Sequence, residues 1–115
     1  MDIMENELVS VAMQIILHAG DARLQVEEAL KDAKMFRFEE AKEQMNKAEE
    51  CIRQAHVAQT EVIQNETRGK TYDPCLLFAH AQDTLMTIMS EYNLAKQLIE
   101  FFEIMNDKLE RTGGK

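Results

Sequence analysis

His80, Gln82, Asp83 and Thr84 stand close together in the run Ala79-His80-Ala81-Gln82-Asp83-Thr84-Leu85-Met86-Thr87. An imidazole accepts a phosphoryl group through an unprotonated ring nitrogen, a form that is abundant near neutrality for this residue type, so His80 suits covalent carriage. If the run is helical, the spacing of three puts His80 and Asp83 on one face. By spacing alone that pair reads first as an ordinary helix-surface contact. Gln82 falls on a different face. It is either an amide donor to a phosphoryl oxygen or a neighbouring subunit, or a solvated surface residue.

Few other residues suggest chemistry. There is no Gly-rich phosphate loop, HExxH, GxSxG or EF-hand pattern. The paired Glu and ExxH ligands of redox or hydrolytic metal bundles are also missing. Cys51 and Cys75 are far apart, without metal or disulfide-framework spacing, and read as free thiols.

The elements that must position His80 are helices, because one Pro and four Gly punctuate long apolar periodicities. Leu8, Ala12, Ile15, Ala19, Ala22, Val26, Ala29 and Ala33 recur at alternating spacings of four and three, the signature of a first helix. Gly20 interrupts it at a cost of about 1 kcal/mol relative to Ala. Phe38, Ala41, Met45, Ala48, Ile52, Ala55, Gln59 and Val62 form the stripe of a second helix, whose one polar member is Gln59. The turn between them is expected near Lys34-Met35-Phe36-Arg37, although no Gly or Pro marks it. A polar stretch, 65–72, then leads to Asp73-Pro74, which predicts an N-cap at Asp73 and a third helix starting at Pro74.

The third helix carries three stripes. Leu77, Ala81, Ile88, Ala95 and Phe102 lie on one, with Glu91 as a polar member, and Phe78, Leu85, Met89, Tyr92 and Ile99 lie on another. The remaining stripe, Leu76, His80, Asp83, Thr87, Ser90, Leu94, Gln97, Phe101 and Ile104, is polar in most of its first half and mainly apolar in its second. No three-helix monomer easily covers all three faces. The reading is an all-α, three-helix antiparallel up-down subunit, one domain over 1–115, that self-associates.

Composition bounds the partners. Thirteen Lys and Arg against 21 Asp and Glu leave a net charge of −8 over 115 residues, which disfavours nucleic acid and acidic membrane faces. The acidic start, Met1 to Glu7, lacks the basic and apolar regions of a leader, and no stretch suits a bilayer, so a cytoplasmic protein without membrane insertion is expected.

The run at 79–87 resembles the HAQDHLMT signature of lactose/cellobiose-type enzyme IIA proteins of the sugar phosphotransferase system, departing from it at Thr84. Ala19-Gly20-Asp21-Ala22-Arg23 is similar to that family's AGDAR element, and Ala55-His56 with Gln59-Thr60 to its AHxxQT element. Met35-Phe36-Arg37-Phe38 stands where the family usually has a glycine-containing turn. The resemblance implies a homotrimer in which His80 is phosphorylated by the phosphocarrier HPr and discharged onto a cysteine of the sugar-specific IIB component. It further implies uptake of a β-linked disaccharide of cellobiose, chitobiose or lactose type, with Ala81 leaning towards the first two. It implies that Asp83 from three subunits binds one structural Mg2+ at the trimer axis. Three carboxylates about 5 Å apart repel by roughly 3 kcal/mol per pair at an effective dielectric near 20, which a cation would relieve. A non-catalytic helical adaptor on the same trimer is the alternative, because Thr84 replaces the family's second histidine. His18, His56 and Gln59 are left without an assigned role.

Overall fold

The computed structural model describes residues 6–113, so the first five residues of the acidic N-terminal segment lie outside the described residues. Three helices follow in order: α1 (Leu8–Lys34), α2 (Phe38–Thr67) and α3 (Leu76–Gly113), with no strand among the described residues. They form an elongated body of 70 × 25 × 17 Å. At 1.5 Å per residue the 38 residues of α3 span about 57 Å, most of that length.

The alternating three-and-four spacing becomes the core. Every residue of the α1 stripe is buried, and Ala12, Ala19, Ala22 and Ala29 have no exposed surface. Ala41, Ala48 and Ala55 of α2 are equally closed, so alanine faces alanine and the two helices approach closely. The bulk is supplied elsewhere, by Ile15 and by Leu85 and Ile88 of α3. α1 packs along both α2 and α3, whereas α2 and α3 meet over a shorter stretch. Arg23 of α1 grips Glu91 of α3 in a bidentate pair, Nε to Oε1 at 2.9 Å and Nη2 to Oε2 at 2.8 Å. Glu91 is thus the polar member of its stripe because it answers Arg23 across the seam.

Both helix ends close by the same backbone device. After α2 the amides of Gly69 and Lys70 donate to the carbonyls of Glu66 and Asn65, with Gly69 at φ 99°. After α1 the amides of Phe36 and Arg37 donate to Ala33 and Asp32, and here the left-handed position, φ 62°, is held by Phe36. A side chain in that region costs about 1–2 kcal/mol, which is why glycine is the usual occupant. Arg37 reinforces the closure with an ion pair to Asp32 at 3.5 Å.

The third helix begins later than its sequence suggests. Pro74 lies in the irregular connection before the helix, α3 starts at Leu76, and the carbonyl of Cys75 accepts the amide of Ala79 at 3.2 Å. Asp73 is therefore not the N-cap. The cause is a contact from the far end of the chain: the Asn6 side-chain amide donates to the carbonyls of Asp73 (3.4 Å) and Pro74 (3.2 Å), fixing both outside the helix. The same connection is tied to α2 by Asn65 Nδ2 donating to the Tyr72 hydroxyl at 2.9 Å, and to the start of α1 by Lys70–Glu7 at 2.7 Å. Three anchors thus set where α3 departs, and hence where His80 stands.

Candidate functional site

His80 lies in the second turn of α3 with its side chain exposed to solvent. Asp83 follows one turn on, on the same face and also exposed. Leu76, Leu77, Ala79, His80 and Asp83 line a shallow, open depression of about 580 Å³. No ion pair or hydrogen bond joins His80 to Asp83 or engages the His80 ring among the described residues, so the ordinary surface pair is not formed. The ring nitrogens are left free for an incoming group. Proximity to the start of α3 adds a favourable dipole for an anion, up to about 1 kcal/mol at an exposed position.

Two threonines hold the backbone at this point. Thr84 Oγ1 donates to the His80 carbonyl and Thr87 Oγ1 to the Asp83 carbonyl, each at 2.9 Å. Thr84, the departure from the family signature, thus uses its hydroxyl on the main chain rather than on the imidazole. Gln82 is half-buried and makes no side-chain hydrogen bond among the described residues.

The other histidines and Gln59 stay apart from this face. His56 is exposed on α2, with its Nδ1 3.3 Å from Thr60 Oγ1. His18 is half-buried on α1. Gln59 is only 9% exposed within the apolar seam, and its Oε1 has no hydrogen-bond partner among the described residues. The two thiols are free, and burial raises the Cys51 pKa.

The face that carries His80 and Asp83 continues uncovered to the far end of α3. Leu94, Phe101 and Ile104 are 67%, 55% and 54% exposed, although they are as apolar as the buried core. Periodicity finds this third stripe. It does not find a second uncovered surface, on α1, where Met13, Leu17 and Leu24 are all exposed. The signal was present in their own spacing of four and seven, beside the core stripe. A single chain brings one carboxylate to the His80 face, and the described residues contain no group of three metal-ligating side chains. A cation held there needs Asp83 from several copies, and an exposed oxygen donor on an open face fits that requirement.

The site thus presents an exposed imidazole, without a side-chain partner among the described residues, in an open depression at the start of α3. The chain belongs to the family described as PTS system, Lactose/Cellobiose specific IIA subunit, which it matches over residues 10–103. It is therefore a IIA component of a sugar phosphotransferase system. It is 39% identical over 105 residues to the lichenan-specific phosphotransferase enzyme IIA component of Bacillus subtilis, covering 91% of this chain and 96% of the other. It is 37% identical over 97 residues to the N,N'-diacetylchitobiose-specific EIIA component of Escherichia coli, covering 84% of each. Its fold is similar to that of the cellobiose-specific enzyme IIA of Bacillus anthracis, with a TM-score of 0.82 at 40% identity, covering 86% of this chain and 91% of that one. It is also similar to a chain of the IIA(chitobiose)–HPr complex of Escherichia coli, with a TM-score of 0.75 at 35% identity, covering 87% and 97%.

Proposed function

We propose that this IIA component is a phosphohistidine carrier that accepts a phosphoryl group from HPr on His80 and passes it to a cysteine of its IIB component, supporting uptake of a β-linked disaccharide. The observation that carries the reading is the His80 ring itself: exposed, free of side-chain partners among the described residues, and set in the matched family region. In the first step a neutral ring nitrogen attacks phosphorus. The N–P bond forms as the donor's bond to phosphorus breaks, and the electron pair returns to the donor. In the second step the IIB thiolate attacks and His80 regains its lone pair. Both steps depend on in-line positioning more than on an enclosed catalytic cavity, which suits an open face. HPr as partner is supported by the structural neighbour solved in complex with it.

The same reading makes the protein a cytoplasmic homotrimer. The uncovered stripe Leu94–Phe101–Ile104 supports packing of α3 on copies of itself, and no helix among the described residues is long and apolar enough to cross a membrane. Packing of three α3 helices brings three Asp83 carboxylates to the axis, where one Mg2+ offsets their repulsion and serves a structural role. Gln82 then has the lesser part of donating its amide to a phosphoryl oxygen. The alternative, a non-catalytic adaptor, rests on Thr84 alone. The test is a relay: phosphoenolpyruvate, enzyme I and HPr should load the protein with an acid-labile phosphoryl group, and added IIB should remove it. Binding of HPr without loading would leave the adaptor in its place.

A further inference from the structure

Asn6 uses its side chain in two directions. Its Oδ1 accepts the amide of Leu8 at 2.9 Å and so caps the first turn of α1, while its Nδ2 donates to the carbonyls of Asp73 and Pro74 at 3.4 and 3.2 Å. A helix begun at Pro74 with Asp73 as its N-cap, the start that these residue types favour, directs the amide of Leu77 to the Asp73 carbonyl and that of Phe78 to the Pro74 carbonyl. Neither bond is formed among the described residues; the first is the one from Ala79 to Cys75. Asn6 thus engages the same two acceptors on which the longer helix depends, and α3 starts at Leu76 instead. Little else holds this turn, since Leu76 is 88% exposed and the inward anchors nearest to it are Phe78 and Ala81. Leu76 and Leu77 line the depression around His80. A phosphoryl donor reaches an exposed ring only by lying over the surface beside it, so where α3 starts shapes the surface that receives the donor.

We propose that Asn6 is a positioning residue for phosphoryl transfer. By engaging the Asp73 and Pro74 carbonyls it keeps α3 from lengthening by two residues, and so keeps Leu76 and Leu77 in the arrangement over which the donor docks. The inference rests on the carrier reading of His80 and adds to it a residue that lies outside the matched family region, 10–103.

Asn6→Asp separates the two tasks of the side chain. A carboxylate still accepts the Leu8 amide, and Asp caps a helix as well as Asn does, so α1 should keep its start; it has no N–H to give to Asp73 or Pro74, so the clasp is lost. The experiment follows backbone amide exchange by NMR in the full chain, together with initial rates of phosphoryl transfer from phospho-HPr. In Asn6→Asp the amides of Leu77 and Phe78 should gain protection by about tenfold. KM for phospho-HPr should rise about threefold or more with kcat little changed. Adding Asp73→Ala removes the N-cap of the longer helix and should return both readouts towards wild type, a repair that a general loss of stability would not show. Unchanged protection at Leu77 and Phe78 in Asn6→Asp, or a shifted helix start with KM unchanged, would overturn the proposal while leaving the carrier reading standing. A wild type that active phospho-HPr does not load would overturn the carrier reading itself, and this inference with it.

Discussion

Gln59 offers a test of how the core is held together. Its side chain is 9% exposed between Ala55 and Val62, both buried, and its Oε1 finds no donor among the described residues. A buried polar atom left unpaired costs about 1–3 kcal/mol. Methionine has the same unbranched length and no such atom, so Gln59→Met should stabilise the fold by about 1–2 kcal/mol. At about 2.1 cal/mol/K per residue, 115 residues unfold with an entropy near 0.24 kcal/mol/K, so the change corresponds to a rise in Tm of about 4–8 °C. Urea unfolding at fixed protein concentration is the assay, because association makes apparent stability concentration-dependent. The midpoint should rise with the slope m unchanged. Gln59→Glu, which places a carboxylate in the same seam, should cost several kcal/mol or force its protonation. A loss of more than about 1 kcal/mol in Gln59→Met would instead mean that the amide makes a net favourable bond in the seam.

Phe36→Gly relieves the left-handed backbone at the end of α1 and should stabilise by about 1 kcal/mol in thermal melts, the released strain being partly offset by glycine's greater freedom in the unfolded chain. Tyr92 is held above the usual phenol pKa, first by burial and then by its hydrogen bond to Glu49 Oε2 at 3.1 Å. The folded state therefore keeps a proton that the unfolded state releases, so stability present below pH 10 is lost as the pH rises through the folded value; Tyr92→Phe should flatten that alkaline decline in a pH series of urea midpoints. On the proposed trimer, Asp83→Asn would remove the carboxylates that meet at its axis, so sedimentation of the variant should no longer respond to Mg2+ or to chelator, whereas wild-type assembly should weaken when Mg2+ is removed.

Much of this architecture was legible because helical burial is periodic. The α1 stripe from Leu8 to Ala33 is buried at every position, and in α2 even Gln59 takes its seam place. The uncovered third stripe of α3 was legible for the same reason, and with it the open face that carries His80 and Asp83. The start of α3 was not, because Asp73-Pro74 is a local signal overruled by Asn6 from the opposite end of the chain. Nor was the closure at Phe36, where hydrogen bonds to Ala33 and Asp32 impose a conformation that its residue type disfavours. The exposed α1 face was not legible because Met13, Leu17 and Leu24 lie beside the buried stripe, where their apolar character reads as a widening of the core face. Arg23 and Glu91 were each visible as polar residues on apolar helices, but their pairing needs the register between α1 and α3, which spacing along one helix does not supply.

Carriage of the phosphoryl group by His80 is open to direct measurement. Intact-mass spectrometry at neutral pH after incubation with phosphoenolpyruvate, enzyme I and HPr tests it most directly, comparing wild type with His80→Ala. Since His80 is exposed and its ring makes no hydrogen bond among the described residues, the substitution should change stability by less than about 0.5 kcal/mol, and any loss of loading reports chemistry rather than unfolding. The wild type should gain one phosphoryl group per chain, removed by acid and absent from His80→Ala. An unmodified wild type in a mixture that loads another IIA component, or a His80→Ala variant that still gains the group, would contradict it.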